Sequence, residues 1–443
     1  MMYNDRPNKE GIQPAQMLFD MDRLSVLSAF SQSEPALCLK AILNACVHGK
    51  EQEAVRSYYA LTHALIQHPM QRVSGDLWKD FILYSILEEE NAFSKSGANR
   101  AWDALLCEMV RKDFAVLRAL YELEDTGIKK LILSSMKARR KEPVSIGVRW
   151  EGDKVAKIAP QKKNGPEAAI ALSEEDWPSW GYRPAGMECY AAREAMAMMH
   201  KIFMQEEDWP SLADELWSLH NICGTGYFIR YKHFLFDGAL HPVHCPAVVS
   251  YDDLFGLDSH KQLLLRNMSR FISGESYHHV VITGPKGMGK TLLAHAMMGD
   301  GSTALRVIHM AAEELDLQAL NRLLGILKQQ PFRYILFFDG LTANAQVLAL
   351  INRMAGNMEL GNVMLCATSD MAQGLSEFTL EVRLESLSKP MFIEMVAHLL
   401  HKRGLTIRRD RITRMYASDI TEGATCRQAV ALATMIETEN AGK

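Results

Sequence analysis

The stretch HVVITGPKGMGKTLLAHAMM, residues 279–298, limits what this chain can fold into more than any other. A short apolar run leads into Gly284-Pro285-Lys286-Gly287-Met288-Gly289-Lys290-Thr291, and an apolar helical pattern follows at once. The octapeptide fits G-x-x-x-x-G-K-[ST] at every fixed position, in the strand-loop-helix setting that the motif requires. Gly284, Gly287 and Gly289 allow a tight turn whose N–H groups converge on phosphate oxygens. The helix start adds partial positive charge at the same place. Lys290 is expected to reach the β- and γ-phosphates of a nucleotide, and the Thr291 hydroxyl to ligate Mg²⁺.

A phosphate loop of this kind needs a parallel sheet around it. The sequence supplies candidate strands at 279–283, 305–310, 334–339, 362–368 and 379–385, alternating with helical stretches. That alternation predicts an α/β fold with crossover helices. After Pro390 the pattern is purely helical. The strand YILFFD ends on Asp339, placed to hold a magnesium-bound water. A buried carboxylate without a cation is costly, which favours that metal role. The next residue is Gly340, where a second carboxylate would serve to activate water.

The rest of the chain sets the context. Its 443 residues suffice for two or three domains. Its pattern divides it into an N-terminal helical domain at 1–138 and a small mixed α/β region at 139–245. A nucleotide-binding core at 246–388 and a helical lid at 389–443 complete it. A hairpin is expected in SIGVRWEGDKVAKIAP around Glu151-Gly152-Asp153, and another in 226–243, turning at Asp237-Gly238. Net charge is −4, which gives no global field drawing the chain to nucleic acid or an acidic membrane. No run of about 18 apolar residues is present to cross a bilayer. The polar first residues lack an apolar h-region, and the eight cysteines show no C-x-x-C spacing, so a cytoplasmic setting with reduced thiols is expected.

Several features admit a plain reading. The methionines of REAMAMMHKIFM, 193–204, read as core filler, with a promiscuous binding face as the alternative. EEDWPS occurs at 174–179 and again at 206–211, which reads as a pair of helix entries. HPVHC, 241–245, has metal-capable side chains but no second cluster to match. His278 and His279 read as a solvated loop at the mouth of the first strand. Basic runs occur at Lys137–Lys141 and Lys402–Arg414; the second, in the lid, lacks the interleaved aromatics that stack bases and reads as a solvated helix face.

The phosphate loop, Asp339 and the lid, taken in order, resemble the AAA+ class of P-loop ATPases. YDDLFGLDSHKQLLLRNMSRFISG is similar to that class's adenine-side box, which implies that Leu254, Phe255 and Gly256 pass the base. NVMLCATSD resembles its fourth strand with a polar sensor end, which implies that Asp370 stands where an asparagine is common. GATCRQAVALA resembles the sensor helix of the lid and implies that Arg427 faces phosphate. More narrowly, residues 221–437 resemble an uncharacterised AAA+-type ATP-binding family catalogued as a domain of unknown function. The resemblance implies the AAA+ strand order, with Asp339 expected on the strand adjacent to the phosphate-loop strand. It also implies ATP and Mg²⁺ as cofactors, with homo-oligomers possible; the residues alone leave GTP open.

Gly340 lacks a water-activating carboxylate, and the segment MAQGLSEF lacks an arginine to reach a neighbour's γ-phosphate. Such a finger contributes about 10³–10⁵ in rate, and a positioned base about 10²–10⁴. Binding rests on amides, Lys290 and Mg²⁺. The expectation is therefore a nucleotide-dependent switch or adaptor with slow hydrolysis. In it, lid closure through Arg427 would move the N-terminal helices against a protein partner. The alternatives are a hydrolysing remodelling enzyme that uses Asp370, and an ATP-controlled nucleic-acid binder.

Overall fold

The computed structural model describes residues 13–139, 148–151, 154–157, 177–184, 193–243, 249–299, 302–311, 316–341, 345–356, 361–371, 374–375, 377–419 and 423–441. The chain forms two compact units, Met1–Gly226 and Tyr227–Lys443.

The first unit is helical, as the periodicity predicts: α1 (Pro14–Asp22), α2 (Ser28–Gln32), α3 (Glu34–Val47), α4 (Glu51–Gln67), α5 (Leu77–Leu87), α6 (Ala92–Ala98), α7 (Ala104–Tyr121) and α8 (Asp125–Arg139). Several starts are set by side chains that accept the free backbone N–H groups. Ser33 caps α3, Asp76 caps α5 and Asp103 caps α7. The hairpin strands β1 (Val148–Glu151) and β2 (Lys154–Lys157) pair antiparallel, while the turn residues 152 and 153 lie outside the described residues. Helices α9 (Arg193–Gln205) and α10 (Ala213–Cys223) close the unit.

The two Trp-Pro sites differ. Trp209 opens a 3-10 turn, Trp209–Leu212, that runs into α10, as expected of a helix entry. Trp177-Pro178 does not start a helix. It begins an extended strap, residues 177–184, held by Leu77 N–H on the Trp180 carbonyl (3.0 Å) and Tyr182 N–H on the Gly75 carbonyl (2.9 Å). Trp180 is fully buried and stacks on Tyr58. Aromatic burial against the bundle decides the local structure there, because a Trp-Pro pair fits an extended strap as well as a helix start.

The second unit begins with α11 (Tyr227–Arg230) and holds a seven-stranded sheet: β3 (His233–Phe236), β4 (Leu240–Pro242), β5 (Val280–Thr283), β6 (Leu305–Met310), β7 (Arg333–Leu341), β8 (Val363–Ser369) and β9 (Leu380–Arg383). Spatial order is β4-β3-β6-β7-β8-β5-β9, and every pair but β3–β4 is parallel.

Two sequence expectations need correction here. The sequence places the hairpin of 226–243 in a region ending at 245, yet β3 pairs in parallel with β6 and extends the core sheet. The buried Phe234 and Phe236 drive this, by joining the core around Tyr334, Leu336 and Phe338. Asp339 was placed on a strand adjacent to the phosphate-loop strand. Instead β8 separates β5 from β7, pairing with both.

The register of β7 explains the layers. Tyr334, Leu336 and Phe338 point to one face and pack with Leu320 and Leu323 of α14 (Leu317–Lys328) and with Ile351 of α15 (Ala345–Ala355). Ile335 and Phe337 point to the other, against Leu264, Met268 and Phe271 of α12 (Asp258–Ser273) and Leu293 and Met297 of α13 (Lys290–Met298). With both faces covered, the strands read as continuous apolar runs. The lid is α16 (Lys389–Lys402), α17 (Arg409–Asp419) and α18 (Cys426–Ala441), closed over Phe392, Val396, Leu400, Ile412 and Ile436. Among the described residues no helix is long and apolar enough to cross a membrane.

Candidate nucleotide site

The site lies at the carboxyl ends of the parallel strands, where ligands collect in open α/β sheets. The glycines of the loop are needed for their backbone. Gly284 (φ +142°), Gly287 (φ +84°) and Gly289 (φ +89°) all take conformations that side chains disfavour. At Gly284 a Cβ would lie 2.3 Å from the Leu384 carbonyl oxygen. The loop therefore folds into a cradle that added carbon would break, with α13 beginning at Lys290.

Lys290 turns back across this loop. Its ammonium donates to the carbonyls of Gly284 (2.7 Å) and Pro285 (3.1 Å), and to Asp370 Oδ1 (2.9 Å). Only 10% of the Lys290 side chain is exposed, against 49% for Asp370. Lys286 stands 3.9 Å from the second Asp370 oxygen. On the other side, Asp339 Oδ1 accepts from the Thr291 hydroxyl (2.8 Å) and the Thr368 hydroxyl (2.6 Å). Thr368 in turn accepts from Gly340 N–H (2.7 Å).

Asp339 is exposed, not buried as the sequence suggested. The cause is the irregular register after Phe338, which lifts Asp339 and Gly340 out of the strand's buried run. Its Oδ1 and the Thr291 hydroxyl form an oxygen pair of the hard type that Mg²⁺ prefers, so the residues present fit the ion. Behind this pair, the Cys366 thiol is pushed up by burial and by Asp339. His309 is pulled down by burial and by His295, with Asp339 working the other way.

A cavity of about 920 Å³ opens between loop and lid. Its apolar wall includes Leu254, Phe255, Leu257, Met395, Leu399 and Val430, enough to receive a flat base. Its polar wall includes Lys286, Gly287, Met288, Gly289, Lys290 and Thr291, together with Asp339, Asp370 and Arg427. Arg427 N–H donates to the Gly287 carbonyl (2.9 Å), tying the first turn of α18 to the phosphate loop.

The structure thus brings together most of the residues singled out from sequence. Gly256 does not line this cavity; its φ of +70° serves the turn before α12. Gly284 and Pro285 contribute carbonyls to Lys290 and line an adjoining cavity of about 660 Å³ that also takes in Arg383 and Asp370. Sequence reasoning did not single out Thr368, Met395, Leu399 or Val430. Thr368 sits in the polar strand end, and its place two residues before Asp370 is the signal for it, whereas the three lid residues carry only ordinary helix periodicity.

The remaining candidates resolve plainly. His279 accepts from Leu365 N–H (3.1 Å) and His278 meets Thr379 (2.8 Å), both at the end of β5 away from the phosphate loop. In the lid, Arg403 pairs with Glu437, Arg409 with Glu394 and Arg411 with Glu439, which offsets much of the basic run. His241 pairs with Asp237 (3.1 Å), while residues 244 and 245 lie outside the described residues. So do 140 and 141 of the first basic run. Among the described residues no group of three or more His, Cys, Asp or Glu could hold a metal ion.

Residues 226–377 match the model of a family described as "Protein of unknown function (DUF815)". The matched stretch takes in the phosphate loop, Asp339 and Asp370. The match is shorter than the 221–437 expected from sequence and leaves out the lid. No curated protein matches the chain. Among solved structures it is similar to the Thermotoga maritima RuvB Holliday junction branch migration motor, at 20% identity and a TM-score of 0.33, over 43% of this chain and 64% of that one. It is also similar to C. elegans PCH-2, at 13% identity and a TM-score of 0.28, over 37% of this chain and 51% of that one. The chain therefore spans less than two thirds of either relative.

Proposed function

We propose that this protein binds ATP with Mg²⁺ between phosphate loop and lid and works as a nucleotide-dependent switch or adaptor that hydrolyses slowly. The observation carrying this reading is the pairing of an intact cradle with Gly340 held at φ +65°. Three left-handed glycines, Lys290 and the Thr291–Asp339 oxygen pair support binding. At Gly340 an L-residue carrying a water-activating carboxylate would be strained, which supports slow turnover. Asp370 is engaged with Lys290, which argues against its serving as a free base.

When bound, Mg²⁺ would neutralise phosphate charge and be held by Thr291 and Asp339. Lys290 would bond the phosphates and Arg427 would approach them from the lid. Nucleotide would bias the lid toward its closed arrangement only through contacts made there and not in the open one. The closed form would be read by a protein partner. The test is titration calorimetry with ATP–Mg²⁺ alongside a phosphate-release assay. Binding with turnover far below one per second is expected; several turnovers per second, abolished in Lys290→Ala, would refute the switch reading.

A further inference from the structure

We propose that Asp370 makes this a site for nucleoside diphosphate over triphosphate, by occupying the face of Lys290 that a γ-phosphate would need. The inference rests on the nucleotide reading above and assigns its resting ligand.

The charges lining the cavity are few. Among the described residues, Lys286, Lys290 and Arg427 are the cations and Asp339 and Asp370 the carboxylates. Asp339 is committed to Thr291 and Thr368. Asp370 lies within reach of both lysines, at 2.9 Å from Lys290 and 3.9 Å from Lys286. Two of the three cations are thus already shared with an internal anion, and the loop carbonyls of Gly284 and Pro285 take the remaining bonds of Lys290.

A β-phosphate is held chiefly by the amides of the loop and the start of α13, deep in the cradle. A γ-phosphate lies one phosphate farther out and draws on the lysine ammonium. To bond Lys290 it must come within a few ångströms of the Asp370 carboxylate or expel it. A like charge so placed repels it in a half-exposed setting, where screening reduces but does not remove the effect. An asparagine at 370 keeps the shape and hydrogen bonding, removes that charge and can donate to a γ-oxygen.

The experiment is calorimetric titration of MgADP and of Mg²⁺ with β,γ-imido-ATP into the wild-type chain, Asp370→Asn and Asp370→Ala. Melting curves confirm that each variant folds. The wild type is expected to bind the diphosphate about tenfold more tightly than the triphosphate analogue. Both variants should tighten the analogue about tenfold while changing ADP affinity by less than about threefold. An unchanged analogue-to-ADP ratio in the variants overturns the role of Asp370 and leaves the nucleotide reading standing. Weaker analogue binding in Asp370→Asn also overturns it, since Asp370 would then be assisting the triphosphate. A wild type that binds neither nucleotide overturns the nucleotide reading, and this inference falls with it.

Discussion

Introducing the missing carboxylate as Gly340→Glu tests whether slow hydrolysis follows from backbone shape or merely from residue type. Gly340 sits at φ +65°, and among the described residues, its chain neighbours aside, no atom lies within 4 Å of the point where its Cβ would stand. Sterically there is room, so the penalty comes from conformation. Holding an L-residue in the left-handed region costs about 1–2 kcal/mol. For a unit the size of Tyr227–Lys443, each kcal/mol lowers the melting temperature by about 2–4 °C, so a fall of about 2–8 °C is expected. If the strand relaxes to avoid that cost, the Gly340 N–H bond to Thr368 (2.7 Å) goes, and with it the Thr368 contact that positions Asp339. Either way the new carboxylate does not reach the geometry of a strand-borne base, and phosphate release should stay within about threefold of wild type. A correctly placed base would instead contribute about 10²–10⁴. Gly340→Asn is the companion variant, because asparagine tolerates the left-handed region better; it should recover much of the lost stability. Differential scanning calorimetry and a coupled phosphate-release assay provide both readouts. A rise of a hundredfold or more in turnover with an unchanged melting temperature would refute the argument, for the backbone would then have accepted a working base.

Other consequences follow from the same geometry. Lys290→Ala removes charge-assisted bonds worth about 1.5–3 kcal/mol, so titration calorimetry should show ATP bound about 10–150-fold more weakly. Gly284→Ala drives a methyl into the Leu384 carbonyl at 2.3 Å and should abolish nucleotide binding, whereas Gly289→Ala meets no atom and should weaken it less. The buried Arg306 donates to the carbonyls of Phe228, Thr303 and Leu305 and stacks 3.6 Å from the Phe332 ring centroid. Arg306→Met strands those carbonyls and should cost at least about 2–3 kcal/mol in urea unfolding. Burial pulls the His220 imidazole down to about 4 from 6.5, against a smaller opposing effect of its bond to the Gly224 carbonyl. The unfolded chain therefore takes up the proton first. The stability of the neutral form is full above about pH 6.5 and is lost as pH falls toward about 4. His220→Gln should flatten that part of the urea-midpoint profile relative to wild type.

The phosphate loop, its strand and its helix were legible in sequence because steric need and residue type coincide there: only glycine tolerates the backbone of 284, 287 and 289. The β5, β7 and β8 strands were legible because burial on two faces writes unbroken apolar runs, whereas β9 at the sheet edge alternates. The β3 edge was assigned elsewhere because a hairpin with a tight turn is locally complete. Its pairing with β6 is a contact across some 70 residues that no local pattern records. Trp177 was misread for a related reason. Its twin at Trp209 shares the hexapeptide, and what separates them is the surface each meets: Tyr58 and Tyr59 for one, Tyr121 and Phe203 for the other.

The consequential misreading concerns strand neighbours. With β7 beside β5, Asp339 would face Lys290 directly, and one carboxylate would have to serve both the ammonium and the metal. The inserted β8 changes the division of labour. Its end delivers Thr368 toward Asp339 and, two residues on, Asp370 toward Lys290. One carboxylate is thereby kept with the hydroxyl pair, and the other with the lysines. Charge on the phosphate side can then change at position 370 without disturbing the oxygen pair that fits Mg²⁺. If that separation holds, Asp370→Asn leaves the magnesium dependence of ADP binding as in wild type, while Thr291→Ala weakens it. Calorimetry over a magnesium series distinguishes the two, and a matching loss in both variants would mean that the carboxylates act as one site after all.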